Sequence, residues 1–262
     1  FLGAAAGYVY LTDTSVGPAG FTRQPEITAA RQARREALLA AIEKGDADAA
    51  ATPRIIADYQ TAAARAAALA GPEFLDTFAL DREPGSLRES YGGEFGQRLL
   101  LSRRLVERGV RFIEVSHNLG FINGTGWDTH FAGQLKQHLL IEELDKGLAS
   151  LVTDLESRKL LDKTLIVVAT EFGRPGGFDS GGGRGHHANC FTMVLAGGGL
   201  KTGQVVGTSD EIGEKILAEP VSIPDFHATI HAALGTNPAE ELYDGARPVP
   251  LTDGGQPIVR LL

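Results

Sequence analysis

The run Thr164-Leu165-Ile166-Val167-Val168-Ala169 constrains the fold more than any other stretch of this 262-residue chain. It is continuous, apolar and free of charge, the pattern of a strand buried on both faces. It follows residues 135–155, where Leu140, Leu144, Leu148, Leu151 and Leu155 fall on one helical stripe. Residues 110–115 (Val-Arg-Phe-Ile-Glu-Val) and 191–196 read as two further strands. Residues 95–108 read as a helix, with Leu99, Leu100, Leu105 and Val106 at three-to-four spacing and Gly109 as its stop. Ser222-Ile223-Pro224-Asp225 opens a last helix through a capping box, and Gly235 ends it. Strands separated by helices of this length predict an α/β fold, with a parallel or mixed sheet and helices on both faces.

Ahead of this alternation the character changes. Residues 1–23 read as irregular, with an edge strand as the other option at Tyr8-Val9-Tyr10-Leu11. Residues 26–69 are rich in Ala, Arg, Gln and Glu, which predicts two or three amphipathic helices broken near Gly45-Asp46 and Thr52-Pro53. Glu83-Pro84-Gly85-Ser86 is a turn. A formal charge of −8 argues against a general nucleic-acid binder, which needs a basic face. It leaves room for a small anion in a cleft where a few cations are focused. The single cysteine, Cys190, excludes an intrachain disulfide and reads as a small buried residue entering a strand. No apolar segment reaches the ~18 residues of a membrane span, and no basic-then-apolar signal segment is visible.

The chemistry concentrates in three loops at the ends of apolar runs. Gly126-Trp127-Asp128-Thr129-His130 places a carboxylate and an imidazole two residues apart, a pair that suits zinc, manganese or iron(II), or else a solvated turn. Trp127 reads as a packing anchor. Glu171-Phe172-Gly173-Arg174 leaves the strand at 164–169. There Glu171 can serve as ligand, base or partner of a histidine, and Arg174 can grip an oxyanion. The competing expectation is an ion pair of Glu171 with Arg174 or Arg184. Gly183-Arg184-Gly185-His186-His187 follows a glycine-rich stretch, residues 176–185, able to fold back over the other loops. Adjacent side chains point apart, so one of His186 and His187 at most is a ligand. His227 and His231 are one helical turn apart but lack the Glu of the metalloprotease motif; His227 reads as a site neighbour. His138 reads as structural, and Ala196-Gly197-Gly198-Gly199-Leu200 as a strand-end turn rather than a phosphate loop.

The combination of Gly-Trp-Asp-Thr-His with several later motifs resembles a bacterial family of unknown function, the domain-of-unknown-function family "fifteen-oh-one". These are Glu143-Leu144-Asp145-Lys146-Gly147-Leu148, Leu161-Asp162-Lys163-Thr164, Glu171-Phe172-Gly173-Arg174, Asp225-Phe226-His227-Ala228-Thr229-Ile230 and Arg247-Pro248-Val249-Pro250. The resemblance extends over essentially the whole chain. That family is similar to the alkaline-phosphatase-like (sulfatase) superfamily. This implies an α/β sandwich: one domain over residues 1–262, the C-terminal part of the fold, with an Ala-rich helical insertion at about 26–70. It further implies a divalent metal, zinc foremost and manganese or iron next, at Asp128, His130 and His186 or His187. Glu171 then stands where relatives carry an Asp, and Arg174 stabilises charge. Phe172 takes the position of a second metal-binding His, and Gly185 that of an Asp before the late His. The resemblance also implies that the nucleophile and first N-terminal strand precede Phe1, in an exported, periplasmic parent protein.

Two functions follow as expectations. One is a metal-dependent hydrolase of small phosphate or sulfate esters. The other is a non-catalytic exported binding or surface module that keeps the fold.

Overall fold

The computed structural model describes residues 6–11, 13–14, 17–18, 26–45, 54–69, 72–117 and 126–262. The chain divides into two compact units, Phe1–Pro84 and Gly85–Leu262.

In the first unit the Ala-rich sequence forms helices α1 (Ala29–Gly45) and α2 (Arg54–Leu69), followed by the short α3 (Pro72–Leu75). Thr28 caps α1, its hydroxyl accepting from the Arg31 amide at 3.2 Å. The breaks expected at Asp46 and Thr52-Pro53 lie outside the described residues. Ala supplies helix propensity but little apolar area, and the larger side chains Leu38, Leu39, Ile42, Ile55 and Tyr59 are exposed. After α3 the chain tightens into two single turns, where Leu80 and Thr77 are buried and Phe74 meets Phe78 edge to face. Tyr8 to Leu11 forms no strand.

The second unit is built on α4 (Gly85–Tyr91), α5 (Glu94–Glu107) and α6 (Gly133–Ser157). The leucine stripe behaves as its spacing requires: Leu99, Leu100, Leu140, Leu151 and Leu155 are buried, with Tyr91 and Phe95 beside them. Close approach of α5 and α6 needs Gly147, where a Cβ would stand 2.9 Å from Leu99 Cδ1.

A charged core ties the three helices. Asp154 accepts from the Tyr91 hydroxyl at 2.9 Å and from Arg158 Nε at 2.7 Å, and it forms an ion pair with Arg103, Nε to Oδ2 at 2.9 Å. Glu107 takes a second nitrogen from each arginine, at 2.6 and 2.7 Å. Two cations meet two anions, which is what makes burial of the Arg103 guanidinium tolerable. Burial, with the Asp154 carboxylate beside it, pushes the Tyr91 phenol far up.

Beyond α6, strands β1 (Leu165–Val168) and β2 (Val194–Gly197) pair antiparallel, Leu165 opposite Gly197 and Val168 opposite Val194. Strands β3 (Thr208–Ser209) and β4 (Ile216–Ala218) form a second antiparallel pair. Strands β5 (Glu241–Asp244) and β6 (Arg247–Pro250) form a third. Helix α7 (Ile223–Ala233) opens on the expected capping box, the Asp225 amide donating to Ser222 Oγ and the Ser222 amide to Asp225.

The molecule is thus α/β, with helices and small antiparallel sheets. The expected parallel or mixed sheet is not formed among the described residues. An apolar run reads the same whichever way its neighbour points, so periodicity carries no information on direction. Residues 110–115 form no strand either. Arg111, Phe112 and Glu114 are exposed, Phe112 to 82%. Alternation makes a segment extendable; a ladder also needs a partner strand. Strand β1 is half-buried rather than covered on both faces. No helix among the described residues is long and apolar enough to cross a membrane.

Candidate functional site

Three segments of the second unit converge: residues 126–132 leading into α6, residues 171–174 leaving β1, and the glycine-rich residues 179–187 ahead of β2. The first and third run side by side. The Ala132 amide donates to the Gly181 carbonyl at 3.1 Å, Gly133 to Gly182 at 3.3 Å and Arg184 to Thr129 at 3.1 Å. Glycine is required at 183, where a Cβ would stand 2.1 Å from the Thr129 carbonyl oxygen. The second segment joins through Gly173 and His187, whose main chains exchange hydrogen bonds of 3.0 and 2.9 Å. The glycine-rich stretch therefore does fold back on the other two loops. Ala132, with φ of 46°, turns the chain sharply into α6 through the left-handed region.

This convergence brings together Asp128, His130 and His186. Asp128 Oδ1 lies 2.9 Å from His186 Nε2 and 3.1 Å from His130 Nε2, and the two Nε2 atoms are 3.3 Å apart. Arg174 closes the group from behind. Its Nη2 donates to Asp128 Oδ1 at 2.6 Å and to the Trp127 carbonyl at 3.2 Å. Its Nη1 donates to the carbonyls of Arg184 at 2.7 Å and Gly185 at 3.4 Å. The Arg174 hydrogen bond, with that of His186, holds the Asp128 carboxyl down at about 2 against burial.

Each imidazole has a support of its own. The His186 ring stacks on Phe172, 4.0 Å between centres, and the Arg174 guanidinium lies over the same Phe172 ring at 5.4 Å. His130 Nδ1 lies 3.1 Å from Asp179 Oδ2. Burial pushes the Asp179 carboxyl up, but the His130 contact and the amides of Gly183 and Gly181 outweigh it and hold it below its ordinary range. Trp127 is an anchor: its Nε1–H donates to His117 Nδ1 at 3.2 Å, and His117 Nε2 meets Glu143 Oε2 at 2.9 Å. The His117 ring stacks on Phe95 of α5 at 4.0 Å, so the loop is pinned to the helical core.

The remaining expected residues lie elsewhere. His187 points away, its Nε2 2.9 Å from the Glu214 carbonyl, as adjacent side chains should. Glu171 is exposed and takes no part in the cluster. The expected pairing of Arg174 with Glu171 gives way to Asp128, while Arg184 donates to the Pro175 carbonyl at 2.8 Å. His227 is exposed on α7 and outside the triad, and His138 is exposed on α6. Cys190 is half-buried. Asp179 is the residue sequence reasoning missed. It sits 49 positions from His130, and an Asp before Ser-Gly-Gly-Gly reads as a turn former.

The donor set fits a divalent cation. Nitrogen, nitrogen and carboxylate oxygen are zinc-type ligands, and ligand atoms around tetrahedral zinc stand about 3.3–3.4 Å apart. The three separations here bracket 3.1 Å. Proton accounting agrees. With Nδ1–H of His130 given to Asp179, its Nε2 lone pair faces the Asp128 oxygen, an arrangement that a positive charge between them relieves.

No curated protein and no solved structure is found to match. A family model described as Protein of unknown function (DUF1501) matches residues 1–262, and the chain belongs to that family.

Proposed function

We propose that the protein is a metal-dependent hydrolase of small phosphate or sulfate esters, its single divalent ion held by Asp128, His130 and His186. The observation that carries this reading is the closed triangle of three ligand atoms, none more than 3.3 Å from another. Zinc suits the donors best, then manganese or iron(II). Bound there, the ion supplies Lewis acidity and a water of lowered pKa. The chain's own residues do the rest. Arg174 keeps Asp128 ionised and aimed, Phe172 and Asp179 fix the imidazole planes, and Glu171 at the rim is the remaining carboxylate near the strand end. The same reading takes the architecture as alkaline-phosphatase-like, with residues 26–70 as an insertion, and the parent protein as exported. Both rest on the resemblance of its motifs.

Elemental analysis of the purified protein tests the metal, and turnover of aryl phosphate and aryl sulfate by a full-length protein tests the reaction. Expected are one bound ion per chain, held too weakly in His130→Ala to survive purification, and hydrolysis abolished in Asp128→Asn. An absence of bound metal after zinc, manganese and iron loading would overturn the reading.

One observation favours a non-catalytic binding module. Both terminal nitrogens of Arg174 are committed to Asp128 and three main-chain carbonyls, so this guanidinium does not face outward to meet developing charge. Metal binding without turnover of either ester class would select that alternative.

A further inference from the structure

We propose that Asp179 is a positioning residue for this site: by accepting a hydrogen bond from Nδ1–H of His130 it presents the Nε2 lone pair of that ring to the cation. The inference rests on the metal-binding reading above and deepens it.

The carboxylate is held at both oxygens. Oδ1 accepts from the amides of Gly181 at 3.2 Å and Gly183 at 3.0 Å, which leaves Oδ2 for His130 Nδ1 at 3.1 Å. The turn beneath it is closed by main-chain hydrogen bonds, the Asp179 amide to the Gly183 carbonyl at 2.9 Å and the Gly182 amide to the Asp179 carbonyl at 3.1 Å. That turn is itself laced to residues 129–133 by the three main-chain bonds described above, so Asp179 and His130 belong to one rigid piece of backbone. A neutral imidazole carries one N–H, and a carboxylate accepts but does not donate. An ionised Asp179 therefore fixes His130 as the Nδ1–H tautomer, with Nε2 bare toward Asp128 and His186. A carboxylate behind a metal-bound histidine orients the ring and raises its basicity, and its loss typically costs 10- to 100-fold in metal affinity.

A purely structural role is the competing account, since the same carboxylate caps a turn. Asp179→Asn separates the two. An amide side chain keeps an oxygen for the Gly181 and Gly183 amides, but offers His130 an NH2 donor where an acceptor stood. That reverses the tautomer and places a proton on Nε2.

The measurement is zinc affinity by competition with a chelating dye, for wild type, Asp179→Asn, His130→Ala and the double variant, beside thermal unfolding of each in chelator. Asp179→Asn should lose about 10- to 100-fold in zinc affinity while the metal-free midpoint stays put. In the His130→Ala background the same substitution should cost nothing further. Wild-type zinc affinity retained in Asp179→Asn overturns the inference alone, as does a full loss that persists without His130 or a metal-free midpoint that falls in step. A wild-type protein that binds no zinc overturns the metal-binding reading and this inference with it.

Discussion

Asp128 Oδ1 meets Arg174, His186 and His130 at once, so the carboxylate is the hub on which both the loops and any ion depend. Its carboxyl is lowered from 3.8 to about 2, by the Arg174 hydrogen bond first and then by His186. A depressed value in the folded state means stability that is fully present above 3.8 and lost as pH falls toward 2. Urea unfolding of wild type and Asp128→Asn in metal-free buffer should therefore show a gap at pH 5 that shrinks as pH falls through about 2. A gap that widens on acidification contradicts the assignment. Arg174 is 15% exposed and donates to three main-chain carbonyls as well. Arg174→Ala should cost about 4 kcal/mol in the same assay, at about 1 kcal/mol for each of the hydrogen bonds it makes. Arg174→Lys should recover only part, because an ammonium cannot span partners arranged around a planar fork. Asp128, His130 and Arg174 were legible in the sequence because each sits next to a glycine or an apolar run that announces a loop. Asp179 was not, since nothing local links a turn aspartate to a histidine on another loop.

At the scale of elements, the helical core is held by charge as much as by leucine. Asp154 on α6 joins Tyr91 on α4 and Arg103 on α5, with Arg158 at the end of its own helix. Asp154→Ala takes the innermost anion from a guanidinium that is 1% exposed. The expected loss is about 3–5 kcal/mol, against about 1 kcal/mol for Tyr91→Phe, read by denaturant unfolding. Equal losses for the two would mean that the phenol, not the charge, secures the helices. Helices were the readable part of this fold. Leucine spacing fixed α6, three-to-four spacing fixed α5, and Ser222 with Asp225 fixed the start of α7, because helical contacts are local and leave a local signature. Strands were readable only as apolar runs. Whether β1 lies parallel or antiparallel to its neighbour, and whether residues 110–115 have a neighbour, are long-range facts that no window of sequence contains.

For the whole molecule, all three proposed ligand residues fall within Gly85–Leu262, so an ion bound to them should stabilise that unit. Zinc at about 100 times its Kd should add about 2.7 kcal/mol. For a unit of this size that is a rise of about 5–10 °C in midpoint, by calorimetry, reversed by chelator and absent in His186→Ala. A rise that survives His186→Ala would place the ion elsewhere. The triad also has a history written into its spacing. Asp128 and His186 are 58 positions apart in the chain, and their loops are joined by long-range main-chain hydrogen bonds that belong to the folded state. An unfolded chain offers no such triangle, so an ion that bound there would add its binding free energy to the folded state. An ion held by the proposed ligands would then be chosen by metal supply as well as by the two nitrogens and one oxygen that face it.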